Sequence, residues 1–319
     1  MDPVIQNTEQ DRCTHAETER FHAFVEDLRR RGRAPKTVES YRSDWTGFID
    51  WYRRHEERPF DLQGLEGALV EEWRDYLQEA GMRPSTTNRK LVFLKRYTSW
   101  AQSAGDIDAT QVADIRSVEA VAQAARRPKG LSDLELRRFL KEVERRGSRR
   151  DQAIVYTLLE TGLRVSELVS LQMTQLVMSS RKGYVVLEEC RHGSSRERRV
   201  YIGPMGRRKL RAYIEERGEA DGPLLVGERG PLTANAVQRI VRKFCRFAKV
   251  KVSPGTLRHT FAATFLAHRD GDLVALADVL GHESLETTRL YLTGGDEGVP
   301  TPPDPDNRVR PVALPGGRA

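Results

Sequence analysis

Three short stretches in the second half of this 319-residue chain carry side chains able to do covalent chemistry. They are Thr161-Gly162-Leu163-Arg164-Val165-Ser166-Glu167-Leu168, then Thr256-Leu257-Arg258-His259-Thr260-Phe261, and then Leu280-Gly281-His282-Glu283-Ser284 with Thr287, Thr288 and Tyr291 just beyond. Breaking a phosphodiester without a metal takes a nucleophile, a clamp for the charged phosphoryl oxygens and an acid for the leaving group. Arginine suits the clamp, because its planar fork of donors stays charged at any working pH. Fixed donors of that kind count most where charge builds up in the transition state. Tyrosine can form a covalent ester that conserves bond energy, so that resealing needs no ATP. Its phenol titrates near pH 10 and must lose its proton during attack. Alone, an arginine is more often a surface ion pair and a tyrosine more often half-buried core.

These residues need elements to hold them. Helices are expected at about 133–146, 149–160, 204–217, 233–248, 256–268, 272–280 and 285–292, with Ser132 and Ser284 as N-caps of the first and last. Alternating and β-branched runs at Tyr184–Glu189 and Glu197–Ile202 flank the turn-rich Arg191-His192-Gly193-Ser194-Ser195 and predict a hairpin. His282 and Tyr291 are nine residues apart across a short break.

The order and spacing of the three stretches resemble the catalytic domain of the tyrosine site-specific recombinases, the phage integrase and Xer-like family, over most of 128–292. Lys36-Thr37-Val38-Glu39-Ser40-Tyr41 and Thr87-Asn88-Arg89 are similar to the family's helical core-binding domain. The resemblance implies a two-domain fold. An N-terminal all-α, four-helix core-binding (SAM-like) domain would precede a mainly α catalytic domain with a small antiparallel sheet. It implies strand cleavage and religation on duplex DNA bearing specific sites, through a 3′-phosphotyrosyl link and a free 5′-hydroxyl. Tyr291 would be the nucleophile, Arg164 and Arg258 the phosphate clamp, and His282 a donor to a phosphate oxygen. Glu167 would buttress the arginines.

Two positions depart from the family pattern. Where the family has a histidine three residues before the second arginine, this chain has Gly255, in Ser253-Pro254-Gly255-Thr256. The histidine after that arginine, His259, is read as structural. In the hairpin the family's general-acid lysine column falls near Gly193, and no lysine occurs between Tyr184 and Ile202. His192 is the better replacement acid because imidazole titrates near neutrality. Arg196, which barely gives up its proton, would hold the phosphate or a base edge. Two other readings stay open: a DNA-binding protein of this fold with weakened catalysis, and a topoisomerase-like nicking enzyme.

The first half is helical, with apolar stripes through Phe21–Leu28, Val38–Tyr52, Leu69–Leu77 and Leu91–Trp100, and Ser85 as a plausible cap of the fourth. Arg89, Lys90, Lys95 and Arg96 give that fourth helix a basic face that could lie on a phosphate backbone. The expected divisions are an arm at 1–16, the core-binding domain at 17–112, a basic linker at 113–130, the catalytic domain at 131–296 and a Pro/Gly-rich tail at 297–319. A net charge of +7 fits a nucleic-acid partner and equally an Arg-rich soluble protein. Cys13, Cys190 and Cys245 form no CxxC pair, and no acidic metal cluster or phosphate-binding loop is visible. The expectation is therefore no metal and no cofactor. No membrane span or signal peptide is legible, which together with the cysteines predicts a cytoplasmic protein. On DNA the family pattern implies self-association into a tetramer through the C-terminal segment, here extended rather than helical because of its prolines.

Overall fold

The computed structural model describes residues 13–123, 128–179, 181–191, 194–228, 230–282 and 284–291. The chain divides into two compact units, Met1–Ala125 and Arg126–Ala319.

Among its described residues the first unit has five α-helices: α1 (His15–Arg30), α2 (Pro35–Glu56), α3 (Gly67–Glu79), α4 (Pro84–Ala104) and α5 (Ala109–Ser117). Their apolar stripes meet in an aromatic core, with Phe24, Phe48, Tyr52, Phe60, Trp73, Phe93 and Tyr97 fully buried. Phe21 stacks on Trp45 at 4.5 Å between ring centres, and Phe48 meets Trp73 edge-on at 4.9 Å. Such pairs add directional contacts to the burial of large apolar area.

Several sequence expectations change here. The stretch read as a linker from 113 contains most of α5, and Val112 and Ile115 bury its inner face in the first core. Asp108 caps α5 by accepting from the Gln111 amide. Among the described residues, α5 thus stands beside the four helices read from the sequence. Thr14, not the end of an arm at 16, caps α1, and Cys13 pairs with Phe60. Helix α4 begins at Pro84, with Arg83 at the cap position and Ser85 inside the helix; proline suits a first turn because its missing N–H has no partner to lose there.

The second unit mixes types. Helices α6 (Asp133–Arg146) and α7 (Arg149–Thr161) are followed by the short α8 (Val165–Ser170). A three-stranded antiparallel sheet then runs in the order β1 (Leu176–Met178), β2 (Gly183–Arg191), β3 (Ser194–Tyr201). Beyond it lie α9 (Pro204–Arg217), the small pair β4 (Val226–Gly227) and β5 (Gly230–Pro231), and α10 (Ala234–Ala248). Helices α11 (Pro254–His268), α12 (Leu273–Leu280) and α13 (Leu285–Arg289) complete it. Ser132 closes a capping box with Glu135 at the start of α6. The hairpin pairs Tyr184 with Tyr201 through to Arg191 with Ser194, so both strands run further toward the tip than 189 and 197.

The main core of this unit gathers Phe139, Leu140, Ile154, Leu158, Leu168, Val185, Val200, Leu210, Phe244 and Leu257. A second, smaller cluster joins Ala262, Leu266, Leu276 and Leu280, and Tyr291 packs against it. That small cluster ties α12 and the segment carrying Tyr291 to α11. No helix among the described residues is long and apolar enough to cross a membrane.

Candidate active site

The second unit brings Arg164, Arg258, His259, His282 and Tyr291 together from four places. Arg164 is the cap residue of α8, directly after the left-handed turn at Gly162 that ends α7. Arg258 and His259 lie one turn into α11, behind the cap Ser253. His282 follows the left-handed Gly281 that ends α12. Tyr291 follows α13, whose cap Ser284 accepts from the Glu286 amide.

Arg258 is 8% exposed. It donates Nη1–H to the Gly162 carbonyl at 2.7 Å, and Nη2–H to the Leu280 carbonyl at 2.8 Å and to His282 Nε2 at 3.0 Å. Two helix C-termini thus aim their free carbonyls at one guanidinium, which satisfies both sides. Burial, with the neighbouring Arg164 charge, pulls Arg258 down to about 10, still cationic at neutral pH. Gly162 is required by shape as well as by its φ of +63°, since a Cβ there would sit 2.3 Å from Phe261 Cδ1.

Arg164 donates Nη1–H to Glu167 Oε1 at 2.8 Å and Nη2–H to the Gly281 carbonyl at 2.9 Å. Its side chain stays 43% exposed, so its guanidinium is the accessible one of the pair. Glu167 Oε1 also accepts from Arg198 Nη2 at 2.8 Å, and Glu167 Oε2 accepts from the Arg164 amide at 2.7 Å. Arg198 further donates to the Val279 carbonyl. This arginine was legible only as an alternation: Arg198 and Val200 on β3, and Ile202 just after it, are all buried.

His282 is locked at both nitrogens. Nε2 accepts from Arg258, so Nδ1 carries the proton and donates to Thr288 Oγ1 at 2.8 Å. Burial, with the charges of Arg258, Arg164 and Arg198, pushes the ring down to about 4. The His282 and Tyr291 rings lie nearly parallel, 6.4 Å apart. Burial raises the Tyr291 phenol above its ordinary value, and the Arg258 and Arg164 charges oppose that rise.

His259, read from sequence as structural, sits on the tyrosine instead: its Nδ1 is 2.8 Å from Tyr291 Oη. Gly255 is exposed on the first turn of α11. His192 and the adjoining Gly193 lie outside the described residues, as does the Arg196 side chain. The basic residues of α4 divide: Lys90 is buried, Lys95 is half-buried, and Arg89 and Arg96 are exposed. Arg89 and Lys90 both pair with Asp44, which is fully buried, and Lys90 itself is 9% exposed. Lys95 donates to the Arg116 and Val118 carbonyls at the end of α5, and Arg96 donates to Tyr41 Oη. The run of basic residues on α4 gave no sign in sequence of the buried carboxylate of Asp44 on α2. No group of three His, Cys, Asp or Glu among the described residues could hold a metal ion.

A phage integrase family model matches residues 129–297, and a phage integrase N-terminal SAM-like domain model matches residues 21–105. The tyrosine recombinase XerD of Rhizobium meliloti is 30% identical over 292 residues, covering 84% of this chain and 88% of that protein. XerC of Corynebacterium glutamicum is 29% identical over 285 residues, covering 85% and 87% respectively. Among solved structures, the XerH site-specific recombinase bound to a palindromic difH substrate in a post-cleavage complex superposes with a TM-score of 0.67 at 19% identity, over 82% of this chain and 78% of that one. A lambda integrase dimer bound to a COC′ core site superposes with a TM-score of 0.63 at 17% identity, over 85% and 96%. The fold, the order of the motifs and these matches together place the chain in the phage integrase family of tyrosine recombinases.

Proposed function

We propose that this protein recombines duplex DNA at specific sites by cleaving and resealing one strand at a time, with Tyr291 as nucleophile. The observation that carries the reading is the convergence of Tyr291, His282, Arg258 and Arg164 around one small surface. Tyr291 Oη attacks phosphorus, the bond to the 5′ oxygen breaks, and a 3′-phosphotyrosyl ester forms. Arg164, exposed and held by Glu167, and Arg258, held by two carbonyls, stabilise charge on the non-bridging oxygens. His282 keeps its neutral form and, by turning from Thr288, could offer Nδ1–H to the same phosphate. Acid for the 5′ oxygen would come from the hairpin, with His192 as the candidate and Arg196 as a further phosphate contact. The reaction is expected to need neither metal nor nucleotide, since two guanidinium groups supply the positive charge and the ester stores the bond energy.

The partner is double-stranded DNA, and exchange of strands between two sites requires self-association on it, as a tetramer in the full reaction. The test is a duplex nicked beside the cleavage position, on which the released fragment cannot return. Wild-type protein should form an SDS-resistant adduct in EDTA without ATP, and Tyr291→Phe should bind the duplex but form none. An adduct in the Phe variant, or a requirement for Mg²⁺, would overturn the assignment. Recombinant product from two intact sites separates recombination from simple nicking.

A further inference from the structure

We infer that His259 takes the proton from Tyr291 as the tyrosine attacks, a task for which Gly255 offers no side chain; this rests on the cleavage reaction proposed above. The hydroxyl of Tyr291 lies 2.8 Å from His259 Nδ1, a normal hydrogen-bond length for a phenol donating to a neutral imidazole. In the site, the other histidine cannot do this work. His282 Nε2 is occupied as acceptor by Arg258, and its Nδ1 carries the proton that goes to Thr288. Gly255 has no side chain to accept anything. His259 is therefore the acceptor in contact with the nucleophile.

The surroundings favour a neutral ring in the resting enzyme. His259 is half-buried, and the Arg258 charge next to it in α11 also disfavours protonation, so its pKa falls below the ordinary imidazole value. The groups around it are Arg258 from its own helix, Tyr291 beyond α13, and, further off, His282 after α12 and Arg164 at the start of α8. In the step, Tyr291 Oη forms its bond to phosphorus while its proton passes to His259 Nδ1. The phosphorus–5′-oxygen bond breaks, its electron pair stays with the 5′ oxygen, and that oxygen takes a proton from the hairpin acid or from solvent water. On resealing, the phenolate leaves phosphorus and recovers the proton from the His259 imidazolium.

This ring touches the reacting oxygen, so its loss should slow chemistry and leave binding alone. His259→Gln should cut the rate of adduct formation on the nicked duplex by ~100-fold, the size usual for one general base, with the DNA affinity unchanged. The pH profile separates proton transfer from mere positioning. The wild-type rate should fall tenfold per pH unit on the acid side, below the pKa of His259, and level off above it. In His259→Gln that inflection should vanish, and the rate should keep climbing past about pH 10, because the buried phenol ionises above its ordinary value. A 5′-thio leaving group, which needs no acid, should leave the His259→Gln defect in place. Three outcomes would overturn the inference: a His259→Gln rate within threefold of wild type, full rescue by the 5′-thio substrate, or a wild-type rate that shows no fall at any acid pH at which the protein stays folded. The last needs no variant, so a His259 variant that failed to fold would not shield the idea. Absence of any adduct from the wild-type protein would instead refute the cleavage reading itself.

Discussion

Arg258 Nη2 lies 3.0 Å from His282 Nε2, and that contact fixes the charge of the histidine. Guanidinium can only donate, so Nε2 must present a lone pair and the ring must be neutral. The fold therefore holds His282 down to about 4, against an ordinary value of 6.5. An unfolded chain binds a proton at this residue below pH ~6.5, whereas the native chain does not until near pH 4. Stability from this site is therefore complete above the unfolded value and declines as pH falls from ~6.5 toward ~4. In proton-observed titration the His282 ring signals should stay flat through pH 5. His282→Gln should flatten the loss of stability across that window, and an inflection of His282 near pH 6.5 would contradict the contact.

Glu167 is the hinge of the arginine network, since its one carboxylate accepts from both Arg164 and Arg198. Arg198 is only 7% exposed on its side chain, so losing the carboxylate removes the countercharge of a buried guanidinium. Glu167→Ala should destabilise the second domain by about 3 kcal/mol and lower the adduct rate by freeing Arg164. Glu167→Gln, which keeps an acceptor oxygen, should be milder on both counts. Thermal denaturation followed by circular dichroism gives the first quantity and the nicked duplex the second. An alanine variant as stable as wild type would show that Arg198 finds its compensation elsewhere.

Lys90 is expected to behave as a structural residue of the first domain. It pairs with the buried Asp44 and lies over the Trp73 ring at 5.9 Å from its centre. Lys90→Glu would set a second carboxylate against Asp44 and should cost the first domain about 3 kcal/mol or more. All four tryptophans lie in that domain, so tryptophan fluorescence during urea unfolding reads it separately. An undiminished midpoint together with weakened DNA binding would return Lys90 to the role its sequence position suggested.

What sequence could and could not reveal follows from how far each signal is local. Helix α6 was legible to the residue because Ser132 and Glu135 form a capping box in one turn and its apolar stripe is strong. Helix α5 was missed because it is short and offers only Val112 and Ile115 as a stripe. The motif residues could be named because their spacing is preserved along the chain, yet which of them touch depends on two left-handed glycines and two helix ends meeting in space. His259 illustrates the difference. Its neighbour Arg258 marks the motif, but only the approach of Tyr291, 32 residues on, gives the histidine a partner. Lys90 shows the converse: a basic side chain looks the same in sequence whether it meets water, DNA or, as Lys90 does, the buried Asp44 on another helix.

Gly162 should tolerate no side chain. Its φ of +63° disfavours any L residue, and a Cβ would stand 2.3 Å from Phe261 Cδ1 and 2.9 Å from Leu280 Cδ2. Its carbonyl also fixes Arg258. Gly162→Ala should therefore destabilise the second domain by about 2 kcal/mol from strain and overpacking and disturb the phosphate clamp. A variant with wild-type melting temperature and adduct rate would show that Phe261 moves aside freely.

Gly255 offers the complementary test, because here a side chain fits. The residue is exposed, and a Cβ would meet only Ser253 Oγ at an ordinary 3.5 Å. It stands in the first turn of α11, three and four residues before Arg258 and His259, so a side chain added there would share their face of the helix. Replacing a helical glycine should also stabilise α11 slightly, by about 0.5 kcal/mol. With His259 present, the acceptor role is already filled, and Gly255→His should change the adduct rate by less than about threefold while leaving DNA affinity intact. In the His259→Gln background the same substitution should raise the rate at least about tenfold, because the imidazole then supplies what the glutamine cannot. Adduct formation by the two single variants and the double variant on one nicked duplex gives the comparison. A large gain from Gly255→His in the otherwise wild-type protein would mean that proton removal limits the natural enzyme and that His259 performs it poorly.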